Sequence, residues 1–189
     1  MGFELISFTS GLIEGQAVSE VIKCNVYTER FGLRLTQAQA AELVETRSLS
    51  LRDNGRIEFG GGVIDKIIKA FCDSPFISAY DYAETLHELI EIFYIYKNET
   101  HDLIGDDDLI KFMKTSFDGV CQGSLDLLSG RELYRLAKNL RFGRGGYMDG
   151  LLKGQTFSAF DTTGSANFSE DDDADGDSSE ENDEEEFYE

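Results

Sequence analysis

Apolar residues recur along this chain at intervals of three and four, the spacing of helices with one buried face. From Leu12 to about Arg30, Ile13, Ala17, Val21 and Cys24 share a face, and Gly32 follows as a left-handed cap. Thr36 opens a second helix with Gln39 three residues on, a capping box in which each side chain satisfies the other's backbone N–H. Ala40, Leu43, Val44 and Leu51 line its inner face, and Gly55 ends it. Residues 56–59 read as short and extended. Gly60, Gly61 and Gly62 then lead into residues 63–71, where Ile64, Ile67, Ile68 and Phe71 form a stripe. Asp73, Ser74 and Pro75 break it, because proline disfavours helix in the residue before it.

The longest helix is predicted from Ser78 or its neighbours to about Asn98. Tyr82, Leu86, Leu89, Phe93 and Tyr96 form its stripe, and Ile90, Ile92 and Ile95 widen it. A helix apolar over so much of its circumference belongs at the centre of a bundle. Asp106, Asp107 and Asp108 start the next helix, over residues 109–117, at the end where carboxylates complement the helix dipole. Residues 124–128 make a short turn, and Ser129 with Glu132 repeats the capping-box pattern before Leu133, Leu136, Ala137 and Leu140. Residues 3–8 alternate weakly, as a short strand or extended lead-in. The predicted fold is mainly α, an irregular bundle of five to six helices over residues 1–142. A glycine-rich linker over 143–168 and a disordered acidic tail over 169–189 follow it.

Charge sharpens that boundary. Residues 169–189 hold 13 of the chain's 37 acidic residues and none of its 17 Lys and Arg, a run that repels itself and has little to bury. The remaining 24 acids still outnumber the bases, so a phosphate backbone is repelled and no nucleic-acid partner is expected. The apolar runs fall short of the roughly 18 residues that span a bilayer, and no membrane is expected. The start, MGFELISF, lacks a basic n-region and carries Glu4, so it does not read as a signal peptide; the expected location is cytoplasmic. Cys24, Cys72 and Cys121 are far apart and form no CxxC pair, which reads as core filler rather than a disulfide framework.

Candidate chemistry is sparse, and each candidate has a plainer reading beside it. The N–H groups of Gly60, Gly61 and Gly62 ahead of a helix, with Arg56 nearby, are suited to an anion. Glycines there also serve a tight junction that needs positive φ. Glu84 and His87 form an ExxH pair that could offer two metal ligands; a second pair is missing, because Asn98 stands three residues before His101, and a solvated face suits the segment as well. Asp171, Asp173, Asp175 and Asp177 match the opening of a calcium loop, but position twelve is Asn182 where a bidentate Glu is required. Arg131, Arg135, Lys138 and Arg141 make a basic stripe on which the acidic tail could dock. Phe187 and Tyr188 are apolar anchors for a partner's groove, or tail aromatics with no role. No nucleotide-binding, GxSxG or HExxH motif occurs, so no cofactor and no catalytic residue is assigned.

In the segments ELVETRSLSLRDNGRIEFGGGVIDKIIKAFCDSPF and ETLHELIEIFYIYKNET, with DDDLIKFMK and GSLDLLSGREL behind them, the chain resembles a family of small uncharacterised bacterial proteins. The resemblance spans roughly residues 1–142 and implies a self-contained helical domain of bacterial cytosolic origin; it brings no site residues with it. The expected function is that of a non-enzymatic helical interaction or accessory protein with a protein partner. The alternative is a ligand-binding domain or enzyme using the glycine junction with Arg56, or a metal on the Glu84/His87 face.

Overall fold

A computed structural model of the chain describes residues 14–53, 55–58 and 61–142, all within one compact unit, Met1–Thr156. The expected lead-in over residues 3–8, residue Phe59, the linker and the acidic tail lie outside the described residues. The fold is mainly α. Among the described residues there are six longer helices joined by short turns, and no strand.

Helix α1 (residues 14–23) stops at Cys24, where the periodicity alone continues to Arg30. A short α2 (Asn25–Thr28) and a 3-10 turn, Glu29–Phe31, complete the segment. The break has a local cause. Buried Asn25 bonds the backbone of Leu35 on both sides, Nδ2 donating to its carbonyl at 2.9 Å and Oδ1 accepting from its N–H at 2.8 Å. Thr28 donates to the Leu33 carbonyl at 2.8 Å, and Gly32 turns the chain with φ +75°. Two buried polar side chains thus bond the returning backbone of residues 33–35, which a straight helix would carry out of reach.

Helix α3 (Gln37–Asp53) begins as its capping box requires. Thr36 N–H donates to Gln39 Oε1 at 2.9 Å, and Gln39 N–H donates to Thr36 Oγ1 at 3.2 Å. Helix α4 (Gly62–Phe71) buries Val63, Ile64, Ile67, Ile68 and Phe71. Helix α5 (Tyr82–Glu99) is the centre of the bundle, packed on α3, α4, α6 (Asp106–Asp118) and α8 (Tyr134–Arg141). Its stripe of Tyr82, Leu86, Leu89, Phe93 and Tyr96 is buried, with Ile90 and Ile92, whereas Ile95 is 54% exposed.

The last helical stretch departs from the expected capping box at Ser129 and Glu132. Helix starts earlier, at α7 (Leu125–Leu127), where the Ser124 hydroxyl accepts from the Leu127 N–H at 3.3 Å. It then passes through a π-turn, Leu128–Leu133, directly into α8. The wider turn takes up an extra residue, so Leu128, Leu133, Leu136 and Ala137 all reach the core. The Ser129 carbonyl accepts from the Tyr96 hydroxyl at 2.5 Å, and Glu132 pairs with Arg131 at 2.8 Å; neither side chain caps a helix.

Candidate functional site

Two surface depressions are built by α1 with its neighbours. The first, of about 310 Å³, lies between α1, α2 and the start of α4, and is lined by Glu20, Lys23, Cys24, Tyr27, Gly61, Gly62, Asp65 and Lys69. It contains two of the glycines that the sequence marks as an anion site. Gly62 has φ +52°, where an L side chain is strained, and a Cβ there would meet Glu58 Oε2 at 2.6 Å and Arg47 Nη1 at 3.2 Å. The helix N-terminus is supplied with anions by the chain itself: Gly61 N–H donates to Glu20, and Val63 N–H donates to Glu58 at 3.3 Å. These carboxylates occupy donors that an external anion would use. Arg56 is elsewhere, paired with Asp102 at 2.6 Å. Gly60 lies outside the described residues.

Inside the same cleft the Cys24 thiol donates to Asp65 Oδ1 at 2.8 Å, and Lys69 Nζ lies 2.6 Å from Asp65 Oδ2. Burial, with the bond to Asp65, pushes the thiol up to about 12, so at neutral pH it is a hydrogen-bond donor and not a thiolate nucleophile. Burial alone would raise Asp65, but the bonds from Cys24 and Lys69 hold its carboxyl below the usual range. Burial likewise raises the thiols of Cys72, beside Asp73, and Cys121. A depressed carboxyl contributes stability above the unfolded value, about 3.9, which is lost as pH falls through the folded value. Asp65→Asn is therefore expected to be less stable than the parent at neutral pH, with the gap closing below about pH 4. Urea unfolding at a series of pH values measures it; a gap that stays constant into acid would remove Asp65 from the account.

The second depression, about 510 Å³, runs between α1 and α3. Its apolar lining residues are Val18, Ala41, Val44 and Leu49, and its polar ones Glu14, Glu42, Glu45, Ser48 and Arg52. Val44 is buried, whereas Leu49 is 45% exposed on the same face of α3 as Glu42 and Glu45. Helical periodicity does not show this groove, since it needs two helices brought side by side. Its one visible signal was Leu49, an apolar residue set on a charged helical face.

Glu84 is exposed, and His87 Nδ1 lies 2.8 Å from the Thr46 hydroxyl, joining α5 to α3. Among the described residues no three metal-ligating side chains gather. On the stripe of the last helix, Arg131 and Arg135 share Glu132, and Arg141 pairs with Glu99, which leaves Lys138 exposed. Asp171, Asp173, Asp175, Asp177, Phe187 and Tyr188 lie outside the described residues. Among the described residues no helix is long and apolar enough to cross a membrane.

Comparison with known proteins gives a match to one family profile, "Family of unknown function (DUF6323)", over residues 20–146. No curated protein and no solved structure matches the chain.

Proposed function

We propose that this chain, which belongs to that family of unknown function, is a non-enzymatic interaction protein of the cytosol that holds a segment of a partner protein in the α1–α3 groove. The observation that carries the reading is the groove itself, about 510 Å³, where exposed Leu49 stands among Glu14, Glu42, Glu45 and Arg52. Apolar surface left open beside unpaired charge is the usual arrangement of a partner-binding patch. The acidic run over residues 169–189 serves the same role at longer range, drawing in a basic partner before the groove engages it.

A second reading is favoured by Lys23 and Lys69 at the α4 cleft, which could hold a small anion if Glu20 swung away. The two readings separate by mutation. Affinity capture from native cytosol with full-length protein is expected to retain a partner that Leu49→Arg loses and Lys23→Ala/Lys69→Ala keeps. Capture lost only in the lysine pair would transfer the function to the cleft. Capture unaffected by either would dismiss both surfaces.

A further inference from the structure

We infer that the α1–α3 groove takes a basic amphipathic helix, an inference that rests on the groove being the interaction site. Three features of the groove select this occupant. Its walls are helices, and among the described residues there is no strand and so no open sheet edge. A segment burying its apolar side on Val18, Ala41 and Leu49 finds no backbone ladder there to join. It must satisfy its own N–H and C=O groups, and a helix does so internally. From Glu42 to Arg52 the groove follows α3 for ten residues, about 15 Å, or nearly three turns of a helix laid along it.

Charge sets the rest. Among the lining residues Glu14, Glu42 and Glu45 oppose a single Arg52, and none of the four has an ion-pair partner among the described residues. Most other cations of the described fold are paired, including Lys66, Lys69, Lys97, Lys114 and Arg141. A second copy of the chain would bring a net charge of −20 against −20, which works against self-association. The acids stand at one end of the α3 wall and Arg52 at the other. The partner helix therefore carries Lys or Arg beside Glu42 and Glu45, and an acid or a neutral residue beside Arg52.

Fluorescence anisotropy with the full chain tests this, using three labelled peptides: a basic amphipathic helix, a scramble of identical composition, and its acidic counterpart with the same apolar positions. The basic amphipathic peptide is expected to bind at least about tenfold more tightly than the scramble. Leu49→Ala and the double variant Glu42→Lys/Glu45→Lys are each expected to weaken it by a similar factor. These three positions are exposed, and circular dichroism of each variant confirms its fold. Equal binding of the scramble would mean that only the chain's net charge is felt, and would overturn the inference. Binding of the acidic peptide that Leu49→Ala abolishes would keep the groove as the interaction site and overturn the basic partner. Basic-peptide binding untouched by either groove variant would overturn both.

Discussion

Lys97→Ala is expected to lower the unfolding free energy by about 2–4 kcal/mol, below the usual 3–5 for one member of a buried pair because its carboxylate partners keep contact with water. The Lys97 side chain is 9% exposed, at the end of α5, beneath the connection to α6. Its ammonium donates to the Ile104 carbonyl at 2.6 Å, pairs with Asp106 at 2.7 Å and lies 3.5 Å from Asp102. The connection needs such a clasp, because His101 and Asp102 are consecutive non-glycine residues at positive φ, 49° and 59°. Asp102 also holds Arg56, so one ammonium ties α5, the start of α6 and the segment after α3. Lys97→Met keeps the packing and loses the charge, and is expected to cost nearly as much. Adding Asp106→Asn to Lys97→Met is expected to recover part of the loss by removing the orphaned carboxylate. Urea denaturation of the three variants reads this directly; a Lys97→Met variant as stable as the parent would reduce the clasp to packing.

Phe71→Ala is expected to cost about 3–5 kcal/mol, the range for truncating a buried aromatic in a core that cannot collapse around the gap. Phe71 is fully buried at the end of α4, edge-on to Phe117 of α6 with centroids 5.6 Å apart. Phe117 meets Phe76 in turn at 6.4 Å, and Lys114 stands 5.9 Å from the Phe71 ring. The ring thus fastens α4 to α6 and supports the turn between α4 and α5. Phe71→Leu fills more of the space and is expected to lose less than half as much. Thermal unfolding measures both, with a fall in Tm on the order of 10 °C expected for the alanine variant. A fall of only a degree or two would mean that the α4–α6 contact is dispensable.

The parts of the fold legible in the sequence are those written locally. The capping box at Thr36 and Gln39 closes at both ends, and Gly32 and Gly55 take the positive φ that ends their segments. The α5 stripe from Tyr82 to Tyr96 was readable because a central helix is apolar on several faces at once. What escaped is decided by contacts that helical periodicity does not record. Ser129 and Glu132 have capping-box spacing, yet the earlier cap at Ser124 and the π-turn decide where that helix begins. Asn25 looks like any polar residue of a helical segment until Leu35 is brought beside it. Lys97 reads as an ordinary charge near a helix end, although it is among the most buried cations of the described fold.

The same division holds for the sites. The glycines of the α4 junction were visible as an opportunity for an anion. That Glu20 comes from 41 residues away to take the Gly61 N–H could not be read from spacing. The Glu84 and His87 pair was equally visible, but His87 meets Thr46 on another helix. The α1–α3 groove had only Leu49 to announce it. Val44 and Leu49, five residues apart on α3, point to different sides of that helix, the first buried and the second exposed.

Amide hydrogen exchange on the full-length chain, free and saturated with its captured partner, tests the groove most directly. Partner binding is expected to slow exchange along α1 and over residues 41–52 of α3, while α4 near Gly61 stays as it was in the free protein. Slowed exchange confined to the α4 cleft, or to α8, with α1 and α3 unchanged, would contradict the account.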